Sequence, residues 1–200
     1  MTSALLRILL PPLFALAVLA AVVAVLVACL RAARGDRRLL ARVGQLAAAG
    51  AMAWAALLMA WPRAVPETAL APGGELHFCG LDCHMHLSVV RAEAGEPWRL
   101  TLRLRSDAGR VPDFPRYLRL RVIGSDGRRY VPDASAFAAP LAAGADDRRE
   151  ITVALPPGVR PDRLVASWAD WPGVVIPGPD QRWVRERTAL LVPAPGGGDA

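Results

Sequence analysis

Two uncharged apolar runs, followed by a long stretch in which apolar and charged residues alternate with period two, predict a transmembrane helical hairpin carrying an all-β domain. A third observation separates the two parts. Residues 63–74 follow Pro62 and hold Pro66, Pro72, Gly73 and Gly74, the composition of a linker. The chain has 200 residues, 54% of them hydrophobic, which leaves room for one ordinary domain beside a membrane anchor.

The anchor is expected over residues 1–62. Residues 8–30 carry no charge, and these 23 residues suffice to cross a hydrocarbon core of about 30 Å at about 1.5 Å per residue. Pro11 and Pro12 sit near the start of the run, where a missing backbone donor costs least. Cys29 reads as a small apolar residue of this helix. The second run, residues 43–61, is rich in small residues such as Gly44 and Gly50, which let membrane helices approach closely. Trp61 suits the headgroup level at its end. The loop between them, residues 31–42, holds five arginines against Asp36 and is therefore expected on the cytoplasmic side. Both termini and everything after Trp61 then lie outside the cytoplasm, at a bacterial inner membrane. A cleaved signal peptide is the competing reading. The apolar run is longer than a typical signal core, and Arg7 makes a thin basic leader.

The formal charge of +6 arises mostly in the anchor: residues 1–62 are net +5, residues 63–200 net +1. The excess is a topology signal, so no nucleic-acid partner is expected. The expected partners are the lipid bilayer and a membrane or periplasmic protein. Every basic residue is arginine, which with the abundance of Ala, Gly and Pro points to a G+C-rich bacterial genome.

The β domain is expected over residues 75–192, with residues 193–200 as a disordered tail. Trp98-Arg-Leu-Thr-Leu-Arg-Leu-Arg105 and Leu118-Arg-Leu-Arg-Val122 place apolar residues on one face and arginines on the other. Those arginines read as solvated outer faces. Gly124-Ser-Asp-Gly127 is a hairpin signal before Arg129-Tyr-Val131. Further strands are expected over residues 75–79, 83–90, 151–155, 164–168 and 183–192. Seven or eight short strands at this spacing predict an immunoglobulin-like antiparallel β-sandwich, with a closed barrel as runner-up. Trp168, Trp171 and Trp183 are candidates for an aromatic patch near Asp170, though core packing is the commoner use of such side chains.

Chemistry concentrates in residues 77–86, His-Phe-Cys-Gly-Leu-Asp-Cys-His-Met-His. This window holds all three histidines and two of the three cysteines. On the oxidising side of a membrane, Cys79 and Cys83 are expected as a disulfide or redox pair, closed by a turn at Gly80-Leu-Asp82. A metal site is the alternative. In a strand from Cys83, Met85 falls on the core face while His84 and His86 share the outward face. His77 and Cys79 have the same spacing on the preceding strand. If these strands pair, His77, Cys79, Cys83, His84 and His86 converge, a donor set suited to copper ahead of zinc.

The two helices, the outer β-domain, Cys79-x-x-x-Cys83 and the histidines together resemble cytochrome oxidase subunit II, and the resemblance implies a copper centre. The chain departs from that pattern by placing the motif at the start of the domain, with no histidine elsewhere. A broader likeness rests on Asp126-Gly-Arg-Arg-Tyr130, Ile151-Thr-Val-Ala-Leu-Pro-Pro-Gly158 and Arg163-Leu-Val-Ala-Ser-Trp168. These segments resemble immunoglobulin-like domains of uncharacterised bacterial membrane-anchored proteins. That likeness implies an extracytoplasmic fold without catalytic residues. The sequence has no nucleophile elbow and no phosphate-binding glycine loop, and Asp146-Asp147 reads as a solvated turn. The expected function is therefore a non-enzymatic, membrane-anchored interaction or accessory module. The alternative is a copper-binding or redox accessory protein using the window.

Overall fold

The computed structural model describes residues 2–33, 37–79, 83–169, 174 and 181–196, with the side chains of residues 2–15, 37, 79, 83 and 84 left out. The turn at 80–82, Asp170, Trp171, part of the basic loop (34–36) and the last four residues of the tail lie outside the described residues.

Two long helices open the chain, α1 (Thr2–Ala33) and α2 (Arg37–Ala64), packed against each other. Both are long and apolar enough to cross a membrane. Their large apolar side chains, among them Leu19, Leu26, Leu46 and Met59, are exposed. α1 begins at Thr2, so Pro11 and Pro12 lie inside the helix instead of in its first turn. α2 continues past Trp61 and includes Pro62.

Nine strands follow among the described residues: β1 (Thr68–Leu70), β2 (Leu76–Cys79), β3 (Cys83–Glu93), β4 (Trp98–Ser106), β5 (Leu118–Gly124), β6 (Arg129–Tyr130), β7 (Asp146–Val153), β8 (Pro161–Trp168) and β9 (Thr188–Leu191). They form two sheets, β1-β9-β8-β5-β6 and β2-β3-β4-β7. Every pairing is antiparallel except β1 with β9. One core is shared by both sheets. Phe78, Met85, Leu87, Leu102, Leu104 and Ile151 come from one, and Leu120, Val122, Leu164 and Leu190 from the other. The period-two reading of β4 and β5 holds residue by residue: Leu100, Leu102, Leu104, Leu120 and Val122 are buried. At the β5–β6 hairpin, Gly127 supplies the left-handed conformation (φ +75°) and donates its N–H to the Gly124 carbonyl at 2.8 Å.

Four expectations change. The 63–74 segment is not only a linker, because β1 pairs with the last strand and the Arg187 guanidinium donates to the Val65 carbonyl at 2.6 Å. Residues 182–185 form a helical turn, so the last strand starts only at Thr188. Asp146 and Asp147 open β7 and face Arg105 and Leu104 across the ladder. β3 runs on to Glu93 because a bulge at Val90 resets its alternation and returns Ala92 to the core.

Candidate functional site

β2 and β3 pair in the register that brings the ligand-rich residues together. Leu76 faces Leu87, His77 faces His86, Phe78 faces Met85 and Cys79 faces Cys83. Leu76, Phe78, Met85 and Leu87 are core residues, so the alternating rung of His77 and His86 belongs to the outer face. The two imidazole rings meet edge to face, with centroids 4.3 Å apart. The register slips by one residue between Phe78 and Cys79, which leaves His84 as the extra residue of a bulge. The plain alternation that places His84 beside His86 is thus interrupted. The side chains of His84, Cys79 and Cys83 lie outside the described part of the structure. Among the described residues there is no disulfide, and Cys29 of α1 is a free, exposed cysteine.

His86 belongs to the outer face yet is only 5% exposed. β3 is an inner strand, flanked by β2 and β4, and Glu75, just before β2, and Arg105 of β4 both reach the ring. Its Nε2 lies 2.7 Å from Asp107 Oδ2, just past the end of β4. Its Nδ1 lies 3.3 Å from Arg105 Nη2 and 3.5 Å from Glu75 Oε2. Arginine can only donate, so a bond to Nδ1 requires a bare nitrogen there. In that tautomer the ring proton is on Nε2, which donates it to Asp107.

Arg105 also donates to Glu75 at 3.0 Å and to Asp107 at 2.7 Å. Its pKa is raised further, chiefly by the hydrogen bond to Glu75. His77 is exposed, but its pKa is lowered, first by partial burial and then by the neighbouring His86, against the pull of Glu75. Glu75, His77 and His86 offer ligand atoms within 4.8 Å of one another.

Sequence reasoning found the histidine pair and missed Glu75, Arg105 and Asp107. Glu75 carried a usable signal, since it precedes His77 by two and so shares its face. Arg105 sits on the charged face of an alternating strand. Asp107 follows the strand's end and had no periodic signal at all.

A series of side-chain contacts runs from β2 to α2. Phe78 stacks edge to face on Trp168, with centroids 5.4 Å apart, and Arg185 lies over the Phe78 ring. Arg182 donates to the Trp168 carbonyl at 3.1 Å. Gln181, buried beside it, donates through Nε2 to the Leu58 carbonyl of α2 at 3.1 Å. In a helix, that carbonyl would accept from the residue four positions on, which is Pro62 and has no N–H. Gln181 therefore satisfies a carbonyl that the proline leaves open. Trp168 packs against the core, whereas Trp183 is exposed.

No protein-family model and no curated protein matches the chain, so neither resemblance read from the sequence is met by a family match. Among solved structures it is similar to the secreted protein MPT63 of Mycobacterium tuberculosis, at 18% identity and a TM-score of 0.40, over 50% of this chain and 88% of that one. It is also similar to the yjhA protein of Bacillus subtilis, at 10% identity and a TM-score of 0.35, over 62% of this chain and 98% of that one.

Proposed function

We propose that the chain is a non-enzymatic accessory module of a bacterial inner membrane. α1 and α2 span the bilayer, residues 31–42 are cytoplasmic, and both termini and the β domain are extracytoplasmic. The domain is an immunoglobulin-like sandwich in this reading. Support comes from the strand order, in which a short first strand runs parallel to the last, and from crossovers that return β5, β7 and β8 to alternate sheets. The observation that carries the function is the tie between domain and helix. Gln181 holds the Leu58 carbonyl, and Arg187 holds the Val65 carbonyl and pairs with Glu67 at 3.6 Å. A domain so held presents a fixed face, with its His/Cys hairpin near the membrane, to a membrane or periplasmic protein partner. Cys79 and Cys83 face each other across the ladder. Such partners have Cα atoms about 4.5–5.5 Å apart, within the span a disulfide needs.

The topology is tested by thiol labelling in intact cells, using single cysteines introduced at Gly35 and at Ala194 in a chain whose own cysteines are serine. A membrane-impermeant reagent is expected to label position 194 and spare position 35, and the reverse pattern overturns the reading. Mass analysis of alkylated, unreduced protein is expected to show Cys79 and Cys83 protected and Cys29 alone modified.

A second reading, copper binding at the same hairpin, is favoured by one observation. The rungs His77–His86 and Cys79–Cys83 lie next but one in the same ladder. Thiolate and imidazole together suit copper, with zinc second. Copper(I) titration of the reduced full chain tests it, and loss of binding in Cys79→Ser/Cys83→Ser is the expected result.

A further inference from the structure

We propose that Glu75, His77 and His86 form a site for a divalent transition metal, copper(II) or zinc(II), with Asp107 behind it and Arg105 as the resident cation that the metal displaces. The inference goes beyond the second reading of the hairpin: it assigns a divalent ion to nitrogen and oxygen donors, where that reading assigns copper(I) to the thiols.

Four observations carry it. First, the ladder fixes the donors: His77 and His86 are direct cross-strand partners, and Glu75 precedes His77 by two on the same face. Second, the spacing fits a shared ion. Glu75 Oε2 and His86 Nδ1 are 3.5 Å apart. Two ligands at about 2.0–2.1 Å from one tetrahedral ion lie roughly 3.3 Å apart. His77, exposed and at the edge of the His86 ring, reaches the same point by a side-chain rotation.

Third, His86 has the support that a metal-bound imidazole requires. Its Nε2 donates to Asp107 at 2.7 Å, which fixes the ring and leaves Nδ1 bare and turned toward Glu75. A carboxylate behind a ligating histidine orients the ring and raises its basicity. The ring is only 5% exposed, so its orientation is set before any ion arrives.

Fourth, a cation already bridges the same two atoms. Arg105 Nη2 lies 3.0 Å from Glu75 Oε2 and 3.3 Å from His86 Nδ1. The Arg105 side chain is one-third exposed and also bonds Asp107 at 2.7 Å. It can therefore release Glu75 and His86 toward solvent while keeping Asp107. Two imidazoles and one carboxylate, with water completing the shell, form a set taken by zinc(II) and by tetragonal copper(II).

The test uses the full chain in detergent micelles, stripped with chelator and dialysed. Zinc(II) is titrated by calorimetry, and copper(II) is followed by electron paramagnetic resonance. One ion per chain is expected, with hyperfine structure from two imidazole nitrogens, and with binding kept in Cys79→Ser/Cys83→Ser. His77→Gln, on an exposed side chain that the fold does not need, is expected to remove one nitrogen from the spectrum and weaken binding. Asp107→Asn is expected to weaken it about 10- to 100-fold. Arg105→Gln, which removes the competing cation, is expected to tighten it. Binding that disappears in the double cysteine variant overturns this inference and leaves the thiol reading standing. No binding of either ion by any variant overturns this inference, while the thiol reading is decided separately by the copper(I) titration of the reduced chain. Unchanged spectra in His77→Gln, or weaker binding in Arg105→Gln, also overturn the assignment.

Discussion

Arg103 and Arg149 lie on neighbouring strands of one sheet, one rung apart, and face opposite sides. Arg103 is on the outer face, opposite Arg148. Arg149 is opposite Leu102, on the side of the core. Arg103 is 39% exposed and grips Asp146 with Nε bonds of 2.9 and 3.1 Å. Arg149 is 7% exposed and uses its whole guanidinium: Nε to Asp147 at 3.0 Å, Nη1 to the carbonyls of Ala136 and Ala139 at 3.2 and 2.6 Å, and Nη2 to that of Pro140 at 3.0 Å. β7 is an edge strand, and an inward charge there discourages pairing with another chain. The difference teaches that the same residue type, in the same sheet, is a solvated partner on one face and a structural pin on the other. The pin ties the 136–140 segment, with buried Phe137, over the open edge of the core.

The comparison is broken most directly by Arg149→Met. The substitution leaves three carbonyls without their donor, and the full chain is expected to lose about 3 kcal/mol of stability. Chemical denaturation in micelles measures this loss against Arg103→Gln. Equal losses for the two variants would show that burial does not set the weight of these arginines.

A second buried pin is Gln181. Gln181→Leu keeps the volume but strips the Leu58 carbonyl of its donor. A cost of about 1–2 kcal/mol is expected. The more telling readout is hydrogen exchange, which is expected to quicken in the last turns of α2 and in residues 181–187. A change confined to the β domain would show that the contact does not couple helix and domain.

Why were these pins illegible in the sequence? The outer-facing arginines at 103, 105, 119 and 121 stand in unbroken alternation, so their strands and faces could be read directly. In β7 the apolar signal begins only at Ile151, because the two preceding core-side positions are Arg149 and Asp147. Period-two reasoning takes inward charges for loop. β1 was hidden likewise, since three residues among prolines and glycines carry no periodicity and only pairing with β9 makes them a strand. At the site, alternation sufficed for the rung of His77 with His86 and for the burial of Met85. It could not show the bulge at His84, which is a property of the pairing and not of either strand. Nor could it find Asp107, whose role depends on where β4 ends.

Arg103→Gln tests the exposed side of the comparison. The paired Asp146 is held below the ordinary carboxylate range, first by its hydrogen bond with Arg103. Both side chains are more than a third exposed, so the pair is screened, and a loss of no more than about 1 kcal/mol is expected, shrinking with added salt. A loss that is large and insensitive to salt would place Arg103 with Arg149.

The smallest effect is expected at the other exposed carboxylate whose charge is locally held. The Tyr130 hydroxyl donates to Asp126 Oδ2 at 2.7 Å, and the Arg128 amide donates to Oδ1 at 3.0 Å. The Tyr130 bond is the main reason that the Asp126 carboxyl titrates below its ordinary value, and the same bond raises the tyrosine. The direction fixes the pH dependence. A carboxylate with a depressed pKa in the folded state contributes its stability in full above the ordinary aspartate value, and loses it as the pH falls through the folded value. Tyr130→Phe is therefore expected to raise the Asp126 midpoint, followed by carbon NMR of the carboxyl, and to flatten the acid limb of the stability curve slightly. An unmoved midpoint would mean that the turn's backbone amide alone holds the charge. The hairpin would then owe its geometry to Gly124 and Gly127, where an added Cβ at Gly124 would stand 2.6 Å from Asp126 Oδ1.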